Sequence, residues 1–201
     1  MITTLRACKQ ALCGPSWQML LQNLGKINAD DEPLSVLSIL NMNGIEDAIR
    51  CLGVVEDCDH QVRLFMARCA RQIQHLMRDP RSVAAVDVAE QYARGKATDY
   101  ELTVARTAAR KALYEAIEVA ESKWMAMWTK AGGAETGKAA RIAAEEAWAA
   151  RAAVFVSTAE ARDTVTDTAW AAVRAVGEEA RVEQEQFLRE ICTATDEVRF
   201  Q

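Results

Sequence analysis

Arg68, Arg71, His75, Arg78, Arg81 and Ser82 are the residues of this chain whose types and spacing suit recognition chemistry. Planar guanidinium groups take phosphates or carboxylates two bonds at a time. Arg81 and Ser82 follow Pro80, the expected first turn of a helix, where free backbone amides favour an anion. On a helix opening near Asp59, Arg68, Arg71 and His75 share one face at steps of three and four, and Arg78 lies a further turn along that side. The chemistry implied is recognition of an anion or an acidic partner. The competing reading is a solvated face whose arginines pair with acids on a neighbouring helix. Trp124 and Trp128 are candidate stacking residues for a base held against that face.

The charge map singles out the same stretch. The chain of 201 residues carries a net charge of -5, yet residues 59–96 carry seven Lys/Arg against four Asp/Glu. Residues 1–58 have four against seven, and residues 97–201 have thirteen against eighteen. A locally basic middle lies between acidic flanks, which excludes wholesale coating of nucleic acid.

Catalytic patterns are thin. Hydrolytic triads need a histidine beside a nucleophile, and only His60 and His75 exist. Glu56, Asp57 and Asp59 beside His60 read as charges at the start of the arginine helix, where acids belong. The adjacent pairs Glu145-Glu146 and Glu178-Glu179 read as solvent-facing. Cys58, His60, Cys69 and His75 match no ordinary zinc spacing, and none of the six cysteines forms a C-x-x-C pair. Gly132 to Ala139 nearly spells a phosphate-binding loop, but Ala139 stands where a magnesium-holding hydroxyl is needed and a helix replaces the required strand. No enzyme activity, metal or cofactor is expected.

These residues must be positioned by helices. Gly14-Pro15-Ser16 breaks a first short helix, Ser16 suits an N-cap for Trp17 to Leu24, and Gly25 suits a left-handed stop. Asp30-Asp31-Glu32-Pro33 reads as the start of the next helix, closed by Asn43-Gly44. Ile45 to Val55 follows, then the arginine helix from Asp59 to Asp79-Pro80, then one closing at Arg94-Gly95. No alternating run is long enough to predict a strand.

The second half is richer in alanine, with twenty-five in residues 101–180. Thr98-Asp99-Tyr100-Glu101 is a capping box. Beyond it Leu102, Ala105, Ala109, Leu113, Ala116, Ala120, Trp124, Met127 and Ala131 form one stripe on an eleven-residue repeat. Gly132-Gly133 breaks the chain, and Trp148 and Trp170 carry the stripe onto a returning arm that Ser157-Thr158 could interrupt. The fold predicted is all-α: a globular helical head over residues 1–96 and a long antiparallel hairpin over residues 97–201, forming one cooperative unit.

Cys69-Ala70-Arg71, His75-Leu76-Met77, Asp79-Pro80-Arg81-Ser82, Val88-Ala89-Glu90 and Ala93-Arg94-Gly95 through Ala97-Thr98 resemble the alanine-rich immunity proteins of bacterial toxin systems. Asp31-Glu32-Pro33-Leu34-Ser35 and Asn43-Gly44-Ile45-Glu46-Asp47-Ala48 resemble the upstream part of many relatives, including copies in phage genomes. The similarity covers roughly residues 28–180 and departs mainly in the tail, where valine, threonine and glutamate replace some alanines. It implies a setting, and carries no binding residues over.

Two functions fit. One is a non-catalytic inhibitor, immunity-like or anti-defence, that neutralises a toxin or host defence protein. Its acidic helical surfaces would attract basic nucleases over long range. The alternative is a sponge that traps an anionic nucleotide signal at the basic middle. A homo-oligomer held by the alanine stripe is a third reading. The amino terminus lacks a signal-peptide core and no apolar run could span a bilayer, so the expected location is the cytoplasm of a bacterium or phage-infected cell.

Overall fold

The computed structural model of the chain describes residues 1–129, 134–159 and 161–199, excepting the side chains of 128–129, 134 and 195–199. Among these residues it is an all-α protein with one small sheet. The chain runs β1 (Ile2–Thr4), α1 (Leu5–Ala11), α2 (Gly14–Leu24), β2 (Pro33–Ser35), α3 (Val36–Asn43) and α4 (Ile45–Leu52). It continues through α5 (Asp59–Gln72), a 3-10 turn (Gln74–Leu76), α6 (Pro80–Ala93), α7 (Asp99–Thr129), α8 (Ala134–Val156), α9 (Ala161–Val176) and α10 (Ala180–Arg199).

Several stops fall where side-chain chemistry puts them. Gly25 ends α2 at φ 64 and Gly95 follows α6 at φ 68, conformations that a Cβ would strain. Asp79 caps α6 by accepting from the Arg81 amide, with Pro80 in the first turn. Thr98 and Glu101 close the predicted box: the Glu101 amide donates to the Thr98 hydroxyl at 3.2 Å and the Thr98 amide to the Glu101 carboxylate at 2.8 Å.

Four local expectations are corrected. Asp30–Pro33 does not open a helix. Arg6 and Lys26 engage the three acids as surface ion pairs, and Pro33 enters β2, opposite Thr4 of antiparallel β1. Proline suits such an edge strand, and three-residue strands are too short to show an alternating pattern. Ser16 is not the cap of α2, which starts earlier on Cys13 with Pro15 in its first turn. The arginine helix stops at Gln72 instead of reaching Asp79. Ile73 leaves helical geometry at φ -111 and ψ 12 with its side chain fully buried, and the chain tightens into the 3-10 turn. Lastly, Ser157 does not start α9. Its hydroxyl bonds back to the Ala153 and Val154 carbonyls, closing α8.

α7 packs along α8, and α9 folds back along α8 to reach α5. The returning arm is thus broken after Val156, and α10 lies against α5 as well. The alanine stripe is buried at Leu102, Ala105, Ala109, Leu113 and Ala120, with Ala116 partly buried and Ala109 fully enclosed. Small side chains let α6, α7 and α8 approach closely, so the stripe is spent within the chain. Gly132, Gly133 and Ala131 lie outside the described residues. One continuous hydrophobic cluster takes in Leu5, Leu52, Phe65, Val86, Leu113, Ala153, Ala172 and Leu188, joining both halves around α5.

Candidate functional site

The arginine helix sends its charges to different neighbours. Arg68 reaches α10, where it donates to the Glu190 carboxylate and lies 5.3 Å from the centre of the Phe187 ring. This pair borders a cavity of about 600 Å³ walled mainly by Met1, Ile2, Cys58, Leu64 and Ile191. Arg71, one turn on, reaches α6 instead. It donates to Asp87 at 2.6 Å and Glu90 at 2.8 Å, and to the Gln74 amide oxygen at 2.5 Å. The hydrogen bond from Arg71 holds the Glu90 carboxyl below its usual range. His75 is exposed on the 3-10 turn. Because α5 ends at Gln72, Arg78 does not continue the Arg68–Arg71 face.

Arg78, Arg81 and Ser82 come together elsewhere, at the start of α6. Arg81 chelates the Asp79 carboxylate through Nε at 2.9 Å and a terminal nitrogen at 2.5 Å, and also donates to Glu115 of α7. The Arg81 bonds hold Asp79 below its usual pKa. Arg78 donates through Nε to Glu146 of α8 at 2.8 Å. Arg78, Asp79, Glu115 and Glu146 line a cavity of about 290 Å³ together with Ala112, Ala116, Val119 and Ala150. Ser82 lines it; its hydroxyl is buried and, among the described residues, has no hydrogen-bond partner.

Electrostatically the pocket is mixed, with its arginines paired to acids on neighbouring helices as in the competing reading. Asp79, Glu115 and Glu146 supply three carboxylates against the guanidinium groups of Arg78 and Arg81. Asp79 takes the Arg81 amide at the helix N-terminus, a donor that an anion would use. Glu146, expected to point to solvent, is only 18% exposed, whereas its partner Arg78 is 75% exposed. Nothing in the adjacent pair Glu145-Glu146 marked one member as pocket-lining. The available signal was Arg78 itself, whose acid had to come from a neighbouring element.

Trp124 sits apart, 42% exposed beside a shallow depression of about 190 Å³ shared with Trp148 and Arg151. Trp128's side chain lies outside the described residues. No protein-family model matches the chain, and no curated protein or solved structure is similar to it.

The outer side of α7 is the remaining feature. Of the nine large apolar residues exposed among the described ones, Tyr100, Val104, Tyr114, Val119, Trp124 and Met125 belong to this single helix. At 100° per residue, Tyr100, Val104, Tyr114 and Met125 fall opposite the buried stripe. From Tyr114 to Ser122 the helix carries Glu115, Glu118 and Glu121 and no lysine or arginine. Glu115 already pairs with Arg81; apolar groups beside Glu118 and Glu121 are a surface suited to a basic protein.

Proposed function

We propose that this chain is a non-catalytic binding protein that neutralises a protein partner, docking it on the outer face of α7. The observation that carries the reading is the concentration of exposed apolar side chains on that one face, with Glu115, Glu118 and Glu121 beside them. The setting is the immunity-like or phage anti-defence role that the resemblance implies, in which a basic toxin or defence protein is the target. The nucleotide-sponge reading has less support. Arg71 and Arg81 are each engaged by two carboxylates, which a phosphate would have to displace. Pairing between copies through the alanine stripe also loses support, because α6 and α8 already cover it.

The test is gentle purification of the tagged chain from its producing cells, followed by native mass spectrometry. A stoichiometric protein is expected on the wild type and absent from a Tyr100→Ser, Tyr114→Ser double variant of unchanged helicity. A bound mass of several hundred daltons in place of a protein would overturn the proposal. So would a partner that the double variant still holds.

A further inference from the structure

We propose that the cavity between the start of α6 and the α7/α8 pair is an anchor pocket for an arginine or lysine side chain of the partner. The inference rests on α7 as the docking face and gives its partner a chemistry. Val119, exposed on α7 to the side of that face, lines the cavity.

Size and lining decide the occupant. At about 290 Å³ the cavity lies at the bottom of the range that small-molecule sites occupy, room for a side chain more than a nucleotide. Its lining by Ala112, Ala116, Val119 and Ala150 suits an apolar stem. Asp79, Glu115 and Glu146 line it too, one carboxylate more than the two guanidinium groups balance.

Charge availability points the same way. Arg78 meets Glu146 through Oε1, and Arg81 meets Glu115 through Oε2. Each carboxylate therefore has a second oxygen to offer an incoming donor. Arg78 is 75% exposed and held by a single such contact, so it can swing aside at little cost.

The Ser82 hydroxyl is the independent observation. A buried hydroxyl without a partner destabilises a fold, and here it belongs to a residue that lines the cavity. A guanidinium or ammonium donor would satisfy it while the two glutamates neutralise the charge.

The probe is agmatine, a guanidinium and an ammonium joined by an apolar stem, titrated into the full chain and followed by the methyl signals of Ala112, Ala116 and Ala150. Saturable binding is expected with a dissociation constant on the order of a millimolar or tighter, within reach of so small a ligand. Glu146→Gln should weaken it about tenfold or more, as loss of a charge-assisted bond does. Glu115→Gln serves if that variant does not fold. Ser82→Ala should weaken binding while raising Tm by about 2 °C or more, because the unsatisfied hydroxyl is gone; a purely structural serine would lower Tm. Arg68→Ala should leave the titration unchanged.

Absence of saturable shifts at those methyls overturns the pocket, even if the α7 double variant loses its partner and the docking face stands. Shifts from inorganic phosphate in place of agmatine overturn its polarity. Agmatine binding by a chain whose α7 variant still holds its partner overturns the side-chain source and leaves a site for a free small cation.

Discussion

Arg63 has the type and spacing of its neighbours on α5, yet the structure gives it a separate task. Its side chain is 2% exposed and donates to the carbonyls of Val156 and Thr158, both at 2.7 Å, and of Ala159 at 2.8 Å, with the guanidinium 5.1 Å from the Tyr92 ring centre. The end of α8 leaves carbonyls without helical partners and concentrates negative potential, so a buried cation satisfies both demands. Arg63→Met should therefore cost about 3 kcal/mol or more in urea unfolding, since several buried acceptors lose a charged donor at once. Arg78→Ala, at an exposed ion pair, should cost less than about 1 kcal/mol. Equal losses for the two would contradict the assignment. The same contrast explains what was readable in the sequence. Spacing located a basic segment, but beside local partners such as Asp79 for Arg81 its charges meet acids far along the chain, Asp87 sixteen residues from Arg71 and Glu190 122 from Arg68, and no local pattern encodes those.

At the scale of elements, the stops at Gly25, Gly44 and Gly95 and the capping box at Thr98 were legible because each acts within a few residues of itself. The close approaches were not. Gly53 follows α4 at φ -63, a conformation any residue adopts, so its turn alone does not demand glycine. A Cβ there would lie 3.1 Å from the Arg162 carbonyl oxygen and 3.3 Å from that of Arg50, both backbone atoms that cannot rotate away. Gly53→Ala should destabilise the chain by about 1–3 kcal/mol through displacement of α9 from α4. Gly137, the glycine of the phosphate-loop lookalike, gives the opposite case. It lies within α8 and, among the described residues, its Cβ would meet only Met127 Sδ, at 3.9 Å. Gly137→Ala should stabilise by about 0.5–1 kcal/mol, as expected of a helix interior. Chemical denaturation of both variants checks the pair; a loss on Gly137→Ala would mean that this glycine has a use beyond the helix.

Across the whole molecule, the ion pairs that distribute the arginines also set its response to acid. Glu90 joins α6 to α5 through Arg71, Asp79 joins the start of α6 to α7 through Arg81, and Glu190 joins α10 to α5 through Arg68. All three carboxyls are held below their ordinary values, 4.5 for the glutamates and 3.8 for Asp79, by hydrogen bonds from those arginines. A depressed folded-state pKa means that the unfolded chain binds protons first as pH falls. The stability these groups confer is complete above their ordinary values and disappears as pH drops through the depressed ones. Tm should thus stay nearly level from about pH 7 to 5 and decline below about 4.5. Glu90→Gln should remove part of that acid slope, with a loss near neutrality of about 1 kcal/mol or less because the pair is partly solvated. The shared core makes a second demand on the same experiment. Leu52 and Phe65 of the first half belong to one cluster with Ala153 and Leu188 of the second, so neither half can open without exposing the other. Tryptophan fluorescence, which draws on Trp124, Trp128, Trp148 and Trp170 of the second half against Trp17 of the first, and far-UV circular dichroism, which reports every helix, should give coincident transitions at each pH. Separated midpoints would show that the alanine-rich helices come apart from α5 before the head unfolds.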